Sequence, residues 1–288
     1  MKTLEEYRNM VEEYLKKAIP ETAVPQKTVF ESMRYSLLAG GKRLRPVLCL
    51  AAADALGEAP EKVLPIACGI EMIHTFSLIH DDLPSMDNDD YRRGRLTNHK
   101  VYGEAMAILS GDALSLYAFK TAAKAEIAPE RLINVIKYMA EFSGADGMIG
   151  GQVVDIESEN TEISAETLRF LHENKTSALI TESLLCGAAA AGASNEILEK
   201  FKKFGLYLGL SFQVQDDILD VVGNSSELGK ATGSDADSGK CTYVTVFGLK
   251  RAEEMSKEYT DEANNSLSGV PESEFFINFA NGLLNRKN

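Results

Sequence analysis

The sequence predicts an all-α fold, a single domain over residues 1–288 built as an antiparallel helical bundle around a central cavity. Three observations predict it. Apolar residues recur at helical spacing along most of the chain, and no segment alternates with a period of two for long enough to propose a sheet. Short loops marked by Gly, Pro or Asn separate the helical stretches, which suits antiparallel neighbours.

The first helix covers residues 3–18, with Leu4, Tyr7, Met10, Val11, Tyr14 and Leu15 at helical spacing, and Pro20 and Pro25 end it. A second begins near Thr28, turns Val29, Met33, Leu37 and Leu38 inward, and stops at Gly40 and Gly41. A third covers about 47–57. A fourth starts near Glu61 and runs into residues 71–99, EMIHTFSLIHDDLPSMDNDDYRRGRLTNH, the stretch around which the chain is organised. Its apolar helix carries Met72, Ile73, Phe76, Leu78 and Ile79, then meets Asp81, Asp82, Asp87, Asp89 and Asp90, then Arg92, Arg93 and Arg95. Pro84 should end the helix just after Asp82, so that Asp87 folds back towards Asp81 from a loop. Helical spacing returns over 111–124, 131–142 and 205–223.

Composition narrows the function classes. Hydrophobic residues at 44% and charged residues at 25% are ordinary for a soluble globular protein. The excess of 43 acidic over 30 basic side chains, a net charge of -13, argues against nucleic acid or an anionic membrane as the main partner. The opening MKTLEEYRNM lacks the basic start of a signal peptide, and no apolar run approaches the ~18 residues of a transmembrane helix. A cytoplasmic protein without stable membrane insertion is expected. Cys49, Cys68, Cys186 and Cys241 stand singly among apolar or small neighbours, as reduced core thiols rather than disulfides or zinc ligands.

Five carboxylates at the mouth of an apolar helix repel one another, and the three arginines that follow are too few and are expected to point elsewhere. Divalent cations are the natural offset. Carboxylate oxygens without a His or Cys pattern suit Mg²⁺, which keeps several waters and is completed by substrate phosphates. For this cluster alone, a solvated acidic loop is the competing explanation. A second cluster shifts the balance towards metal. In GLYLGLSFQVQDDILDVVG, residues 205–223, Asp216 and Asp220 lie four apart on one helical face and Asp217 lies one position round, all among apolar residues. Ionised carboxylates are seldom placed in such surroundings unless paired or metal-bound.

Anion-binding features accompany the acids. GGKRLRP, residues 40–46, frees the backbone with paired glycines, sets Lys42, Arg43 and Arg45 together, and puts Pro46 in the first turn of a helix; a surface loop is the alternative. In GADGMIGGQVVD, residues 144–155, three glycines inside a helical pattern call for close packing or a bulky ligand, with Gln152 and Asp155 on one face. The Lys175–Thr176 pair alone reads as surface. After it comes SALITESLLCGAAAAGA, so rich in alanine that neighbouring helices can approach closely.

Together, GGKRLRP at 40–46, DDLPSMD with RRG at 81–94, GGQVVD at 150–155, KT at 175, FQVQDDILD at 212–220 and LGKATGSDADSGKCTY at 228–243 resemble the trans-isoprenyl diphosphate synthases over nearly the whole chain. The likeness is nearest to the bacterial short-chain farnesyl diphosphate synthases, whose first motif has the same four residues between the aspartate pair and the third aspartate. Departures are small: Leu96 and Val244 stand where Pro is common.

The resemblance implies the isoprenoid synthase fold and Mg²⁺, as three ions bridging the allylic diphosphate. Asp81 and Asp87, with Asp82 beside them, would bind metal, and Asp216 would hold a further ion, supported by Asp217 and Asp220. Arg92, Lys175, Thr176, Gln213, Lys230 and Lys240 would contact the allylic diphosphate; Lys42, Arg45, His74 and Arg93 would hold isopentenyl diphosphate. Asp81, Asp82, Asp87, Lys175 and Asp216 form the implied catalytic set. His74, two helical turns before Asp81, also reads as a core histidine, and His80, His99 and His172 carry no assignment. The implied reaction is the head-to-tail condensation of isopentenyl diphosphate with dimethylallyl and then geranyl diphosphate. In the resembled family an aromatic five residues before the first aspartate suits a fifteen-carbon product, so Phe76, with Ser77 beside it, points to farnesyl diphosphate; core packing is the other explanation for Phe76. Geranylgeranyl or geranyl diphosphate synthase, terpene cyclase and non-catalytic regulatory subunit are the alternatives. The resemblance also implies a homodimer.

Overall fold

The computed structural model of the protein describes residues 1–159, 161–222 and 241–284. In chain order the elements are α1 (Leu4–Ala18), α2 (Lys27–Leu37), α3 (Leu44–Ala55), α4 (Pro60–Asp81), β1 (Tyr91–Arg92), β2 (Arg95–Leu96), α5 (Asn98–Tyr102), α6 (Glu104–Ala122), α7 (Pro129–Ser143), α8 (Met148–Glu157) and α9 (Ala165–His172). A π-helical turn (Glu173–Ser177), α10 (Ala178–Ala190), α11 (Asn195–Val222), α12 (Tyr243–Phe247), α13 (Leu249–Ser266) and α14 (Ser273–Leu284) complete them. The fold is all-α, as expected. One small sheet among the described residues, unforeseen, pairs Tyr91 with Leu96 and Arg92 with Arg95 across Arg93 and Gly94. Both turn residues have positive φ, 53° and 74°, the backbone that a two-residue hairpin needs. These elements form two compact units, Met1–Lys137 with Cys186–Gly192, and Tyr138–Leu185 with Ala193–Asn288.

In the first unit α4 is the central helix, packed on α6 and α3. Val63, Ile66, Ile70, Met72, Ile73 and Ile79 are all buried, so the helix is apolar around most of its circumference. Contrary to the expectation from sequence, α4 is long and apolar enough to cross a membrane by length and composition, but 72% of its most apolar window is buried inside the protein. Its C-terminal end is pinned to α6. A Cβ added at Gly111 would lie 2.1 Å from His80 Nε2, and that nitrogen sits 3.1 Å from the Ile108 carbonyl oxygen.

A buried ion group joins α1, α4 and the start of α3. Arg43 adopts left-handed backbone (φ 52°) just before α3, which turns its side chain inward. Its Nε donates to Glu12 Oε1 at 2.8 Å, Nη1 to Glu71 Oε1 at 2.7 Å and Nη2 to the Leu37 carbonyl at 2.9 Å. One of the three cations that the glycine-rich loop was expected to offer an anion is therefore taken up inside the protein.

The second unit is built on α11, which packs along α13. Gly205 and Gly209 of α11, one turn apart, let the alanine-rich chain of α10 and the π-turn come close: added Cβ atoms would lie 2.7 Å from Thr181 Cα and 2.4 Å from Ser177 Cα. Leu168, Val214, Ile218, Tyr243, Ala252 and Met255 form a core cluster. The Tyr243 ring stacks between His172, at 5.2 Å, and Phe247, at 5.9 Å. Of the cysteines, Cys49, Cys68 and Cys186 are buried free thiols as expected, whereas Cys241 is only half-buried.

Two stability predictions follow from these buried charges and rings. Arg43→Ala removes the buried partner of Glu71 and should lower the free energy of urea unfolding by about 3–5 kcal/mol, with Arg43→Lys, which lacks the planar fork, recovering only part of it. Burial pushes the His172 imidazole from its ordinary 6.5 to about 4. Its contribution to stability is present above pH 6.5 and fades as pH falls towards 4, because the unfolded chain binds the proton first. Between pH 7 and 4.5 the wild type should lose about 2–3 kcal/mol more than His172→Phe in urea titrations.

Candidate active site

In the first unit the helix end and the acidic loop take the expected form. Asp81 closes α4 and Asp82 is its C-cap. The chain then turns through Leu83 and Pro84, and the Asp87 peptide N–H donates to the Asp81 carbonyl at 2.9 Å, so Asp87 returns to Asp81. Asp82 behaves differently, being 3% exposed. Arg92 donates to Asp82 Oδ1 from Nε at 2.7 Å, and its Nη2 lies 2.6 Å from the same oxygen and 3.4 Å from Asp89 Oδ2. Lys100 pairs with Asp90 at 2.7 Å. The expectation that the arginines point elsewhere is thus wrong for Arg92: the small hairpin folds its guanidinium back over the end of α4. Burial raises the Asp82 carboxyl above its ordinary pKa, and Arg92 opposes the shift.

The cations of this unit gather near the glycine-rich loop. Lys42 is exposed, and Arg45, in the first turn of α3, places Nη1 3.4 Å from His74 Nε2. Burial and the Arg45 charge hold the His74 imidazole well below its ordinary pKa, so it is neutral at pH 7. Arg93 donates to the Gly40 carbonyl, and its guanidinium lies where a Cβ at Gly41 would be, within 2.8 Å. Gly41 therefore cannot be another residue without displacing Arg93. Phe76 is half-buried, about 7 Å along α4 from Asp81 at the helical rise, and meets the His80 ring edge-on at 5.9 Å. The Ser77 hydroxyl is occupied within the helix, donating to the His74 carbonyl at 3.0 Å.

The second unit assembles Asp155, Lys175, Thr176, Gln213 and the second acidic cluster. Lys175 and Thr176 lie in the π-turn, a wide helical turn often found at functional positions. Neither is a simple surface residue: Thr176 is buried, and Lys175 is half-buried and paired with Asp155. Gly151 is small because the Lys175 backbone nitrogen would lie 2.2 Å from its Cβ, so packing explains this glycine. Thr176 Oγ1 donates to Gln213 Oε1 at 2.8 Å. Asp216 and Asp220 are half-buried on one face of α11, whereas Asp217 is buried. Lys230 and Lys240 lie outside the described residues.

Among the described residues no three acidic, imidazole or thiol groups converge into a ready-made metal cage. Magnesium held by one or two carboxylates and completed by waters and phosphates needs none. Asp81 with Asp87, and Asp216 with Asp220, are hard oxygen donors of the kind it takes. The sequence reading gave two participants no role. Asp155 carried a signal, a carboxylate one turn after a helical glycine, which marks close approach of a neighbour bearing a cation. Glu71, the inward partner of Arg43, carried only its position in an apolar helix.

Comparisons with known proteins identify the family. Residues 26–271 match the family model described as polyprenyl synthetase. A chloroplastic geranylgeranyl pyrophosphate synthase of Capsicum annuum is 47% identical over 258 residues, 88% of this chain and 70% of that protein. A dimethylallyltranstransferase of Fischerella ambigua is 44% identical over 272 residues, 93% and 78% of the two chains. Among solved structures, the geranyltransferase of Helicobacter pylori complexed with magnesium and isoprenyl diphosphate superposes with a TM-score of 0.86 at 37% identity, covering 99% of this chain and 98% of that one. The motif resemblance therefore holds, and the chain belongs to the polyprenyl synthetase family, a prenyltransferase with the all-α trans-isoprenyl diphosphate synthase fold.

Proposed function

We propose that this chain, acting as one synthase domain over residues 1–288, condenses isopentenyl diphosphate with dimethylallyl and then geranyl diphosphate to give farnesyl diphosphate. The supporting observation is the pair of carboxylate sets carried by apolar helices and the loop that follows one of them, Asp81 with Asp87 at the end of α4 and Asp216 with Asp220 on α11, each in a unit that also presents cations. Bound magnesium, as three ions, would supply Lewis-acid stabilisation of the departing diphosphate. Lys42, Arg45 and Arg93 hold the isopentenyl diphosphate charge, and neutral His74 donates a hydrogen bond to it. Arg92, Lys175, Thr176 and Gln213 bind the allylic diphosphate, with Lys230 and Lys240 assigned to the same role from sequence. Binding by Arg92 requires it to exchange Asp82 and Asp89 for phosphate oxygens, and binding by Lys175 requires the same of Asp155. The allylic carbon–oxygen bond breaks with its electrons leaving on diphosphate, the isopentenyl double bond attacks the cation, and a proton is lost to the released diphosphate. The protein's share is positioning and charge stabilisation away from water.

The fifteen-carbon product is supported by Phe76, whose ring, about 7 Å before Asp81 along α4, suits a floor for the growing chain. A twenty-carbon product is the second possibility, favoured by relatives named geranylgeranyl pyrophosphate synthase at 47% identity. We also propose a cytoplasmic homodimer, to which the exposed Leu109 (54%) and Leu116 (73%) of α6 would offer apolar contact, readable by sedimentation velocity.

One assay tests the chemistry and the product together: purified enzyme, Mg²⁺, isopentenyl diphosphate and either allylic diphosphate, with chromatography of the products. Asp81→Ala and Asp216→Ala should each lower turnover by about a thousandfold or more with helical content unchanged, removing charge stabilisation worth about 4 kcal/mol. Wild-type-like turnover in both sinks the mechanism. Phe76→Ala should lengthen the products, and an unchanged product length refutes the floor.

A further inference from the structure

Asp216 and Asp217 are neighbours in sequence, but their side chains serve different surroundings. Asp217 is 2% exposed within the second unit. Its Oδ1 accepts from Gln213 Nε2 at 2.9 Å, and its Oδ2 accepts from the Tyr243 peptide N–H at 2.7 Å. Gln213 Oε1 in turn accepts from the Thr176 hydroxyl at 2.8 Å. The relay runs from the first residue of α12, through α11, to the π-turn.

We infer that Asp217 is a positioning residue for the allylic diphosphate rather than a metal ligand: it orients the Gln213 amide and seats the start of α12 against α11. An ionised carboxylate only accepts hydrogen bonds, whereas a glutamine amide has a donor end and an acceptor end. Facing Asp217, the amide must present Nε2 to it and Oε1 to Thr176. One amide hydrogen is then held by Asp217, and the other remains a donor suited to an anion. The Tyr243 N–H lies in the first turn of α12, where helical geometry supplies no partner, so Asp217 also satisfies an otherwise orphaned backbone donor. Asparagine at 217 breaks this order: its NH₂ faces either the Tyr243 N–H, donor against donor, or Gln213, whose amide then turns over to present Oε1 and loses its set orientation.

This inference rests on the proposed roles of Thr176 and Gln213, and its test separates the two. Steady-state kinetics with geranyl and isopentenyl diphosphates would be measured against Mg²⁺ concentration for wild type, Asp216→Asn, Asp217→Asn, Gln213→Leu and the Asp217→Asn/Gln213→Leu double variant. Asp217→Asn should raise the KM for geranyl diphosphate about tenfold, the scale of one lost hydrogen bond, with the Mg²⁺ half-saturation and the isopentenyl KM unmoved. Asp216→Asn should raise the Mg²⁺ requirement. The double variant should be little worse than either single one, as for two members of one relay. An Mg²⁺ shift in Asp217→Asn equal to that in Asp216→Asn, or additive losses in the double variant, overturns the inference while leaving the reaction standing. A wild type that does not condense the two diphosphates overturns both. Should Asp217→Asn not fold, Gln213→Glu, which sets a second carboxylate against Asp217, must give the same selective rise in geranyl diphosphate KM.

Discussion

The Arg43–Glu71 ion pair is the interaction on which the first unit's site depends. Both side chains are shielded from water, at 0% and 2% exposure, and Glu12 shares the guanidinium. Charges in such a place are strongly destabilising if either partner is lost, so the pair acts as a fixed registration point between α4 and the chain entering α3. Glu71 lies three residues before His74 and ten before Asp81 on the same helix. Arg43 lies two residues before Arg45. Fixing one pair thereby fixes the approach of Arg45 to His74 and the direction in which α4 delivers its aspartates.

The second unit reaches order by another route, close approach of backbone. Gly151 of α8 and Gly209 of α11 meet the π-turn at Lys175 and Ser177, and Gly205 meets the start of α10. A π-turn is wider than an α-turn and is tolerated where packing holds it. Here the glycines let neighbours hold it, so Lys175 and Thr176 are presented by a backbone with little freedom to shift. The pair of Lys175 with Asp155 and the bond from Thr176 to Gln213 then fix the two side chains.

Much of this was legible in the sequence because it is local. Helical periodicity located α1 to α4, Pro84 marked the end of α4 and the return of Asp87, and the four-residue spacing put Asp216 and Asp220 on one face. The parts that were not legible depend on partners far along the chain. Nothing near Arg43 distinguishes it from Lys42 and Arg45; its inward turn is decided by Glu12 and Glu71, 31 and 28 residues away. Arg92 returns to Asp82 only because a two-residue hairpin forms, too short to leave a period in the sequence. The different fate of Asp217 beside Asp216 is a matter of 100° around a helix and of Tyr243, 26 residues on. Periodicity names the face a residue occupies, and only the assembled neighbours say what that face meets.

Arg92 lying across Asp82 and Asp89 has a consequence for the charge balance of the loop. An acidic loop without an internal counter-ion would be held open by its own repulsion until a cation arrived from solution. This loop carries its counter-ion with it, ten residues from Asp82 and three from Asp89, and Lys100 does the same for Asp90. Three of the five carboxylates at this helix end, Asp82, Asp89 and Asp90, thus draw their counter-ions from the same chain rather than from solution.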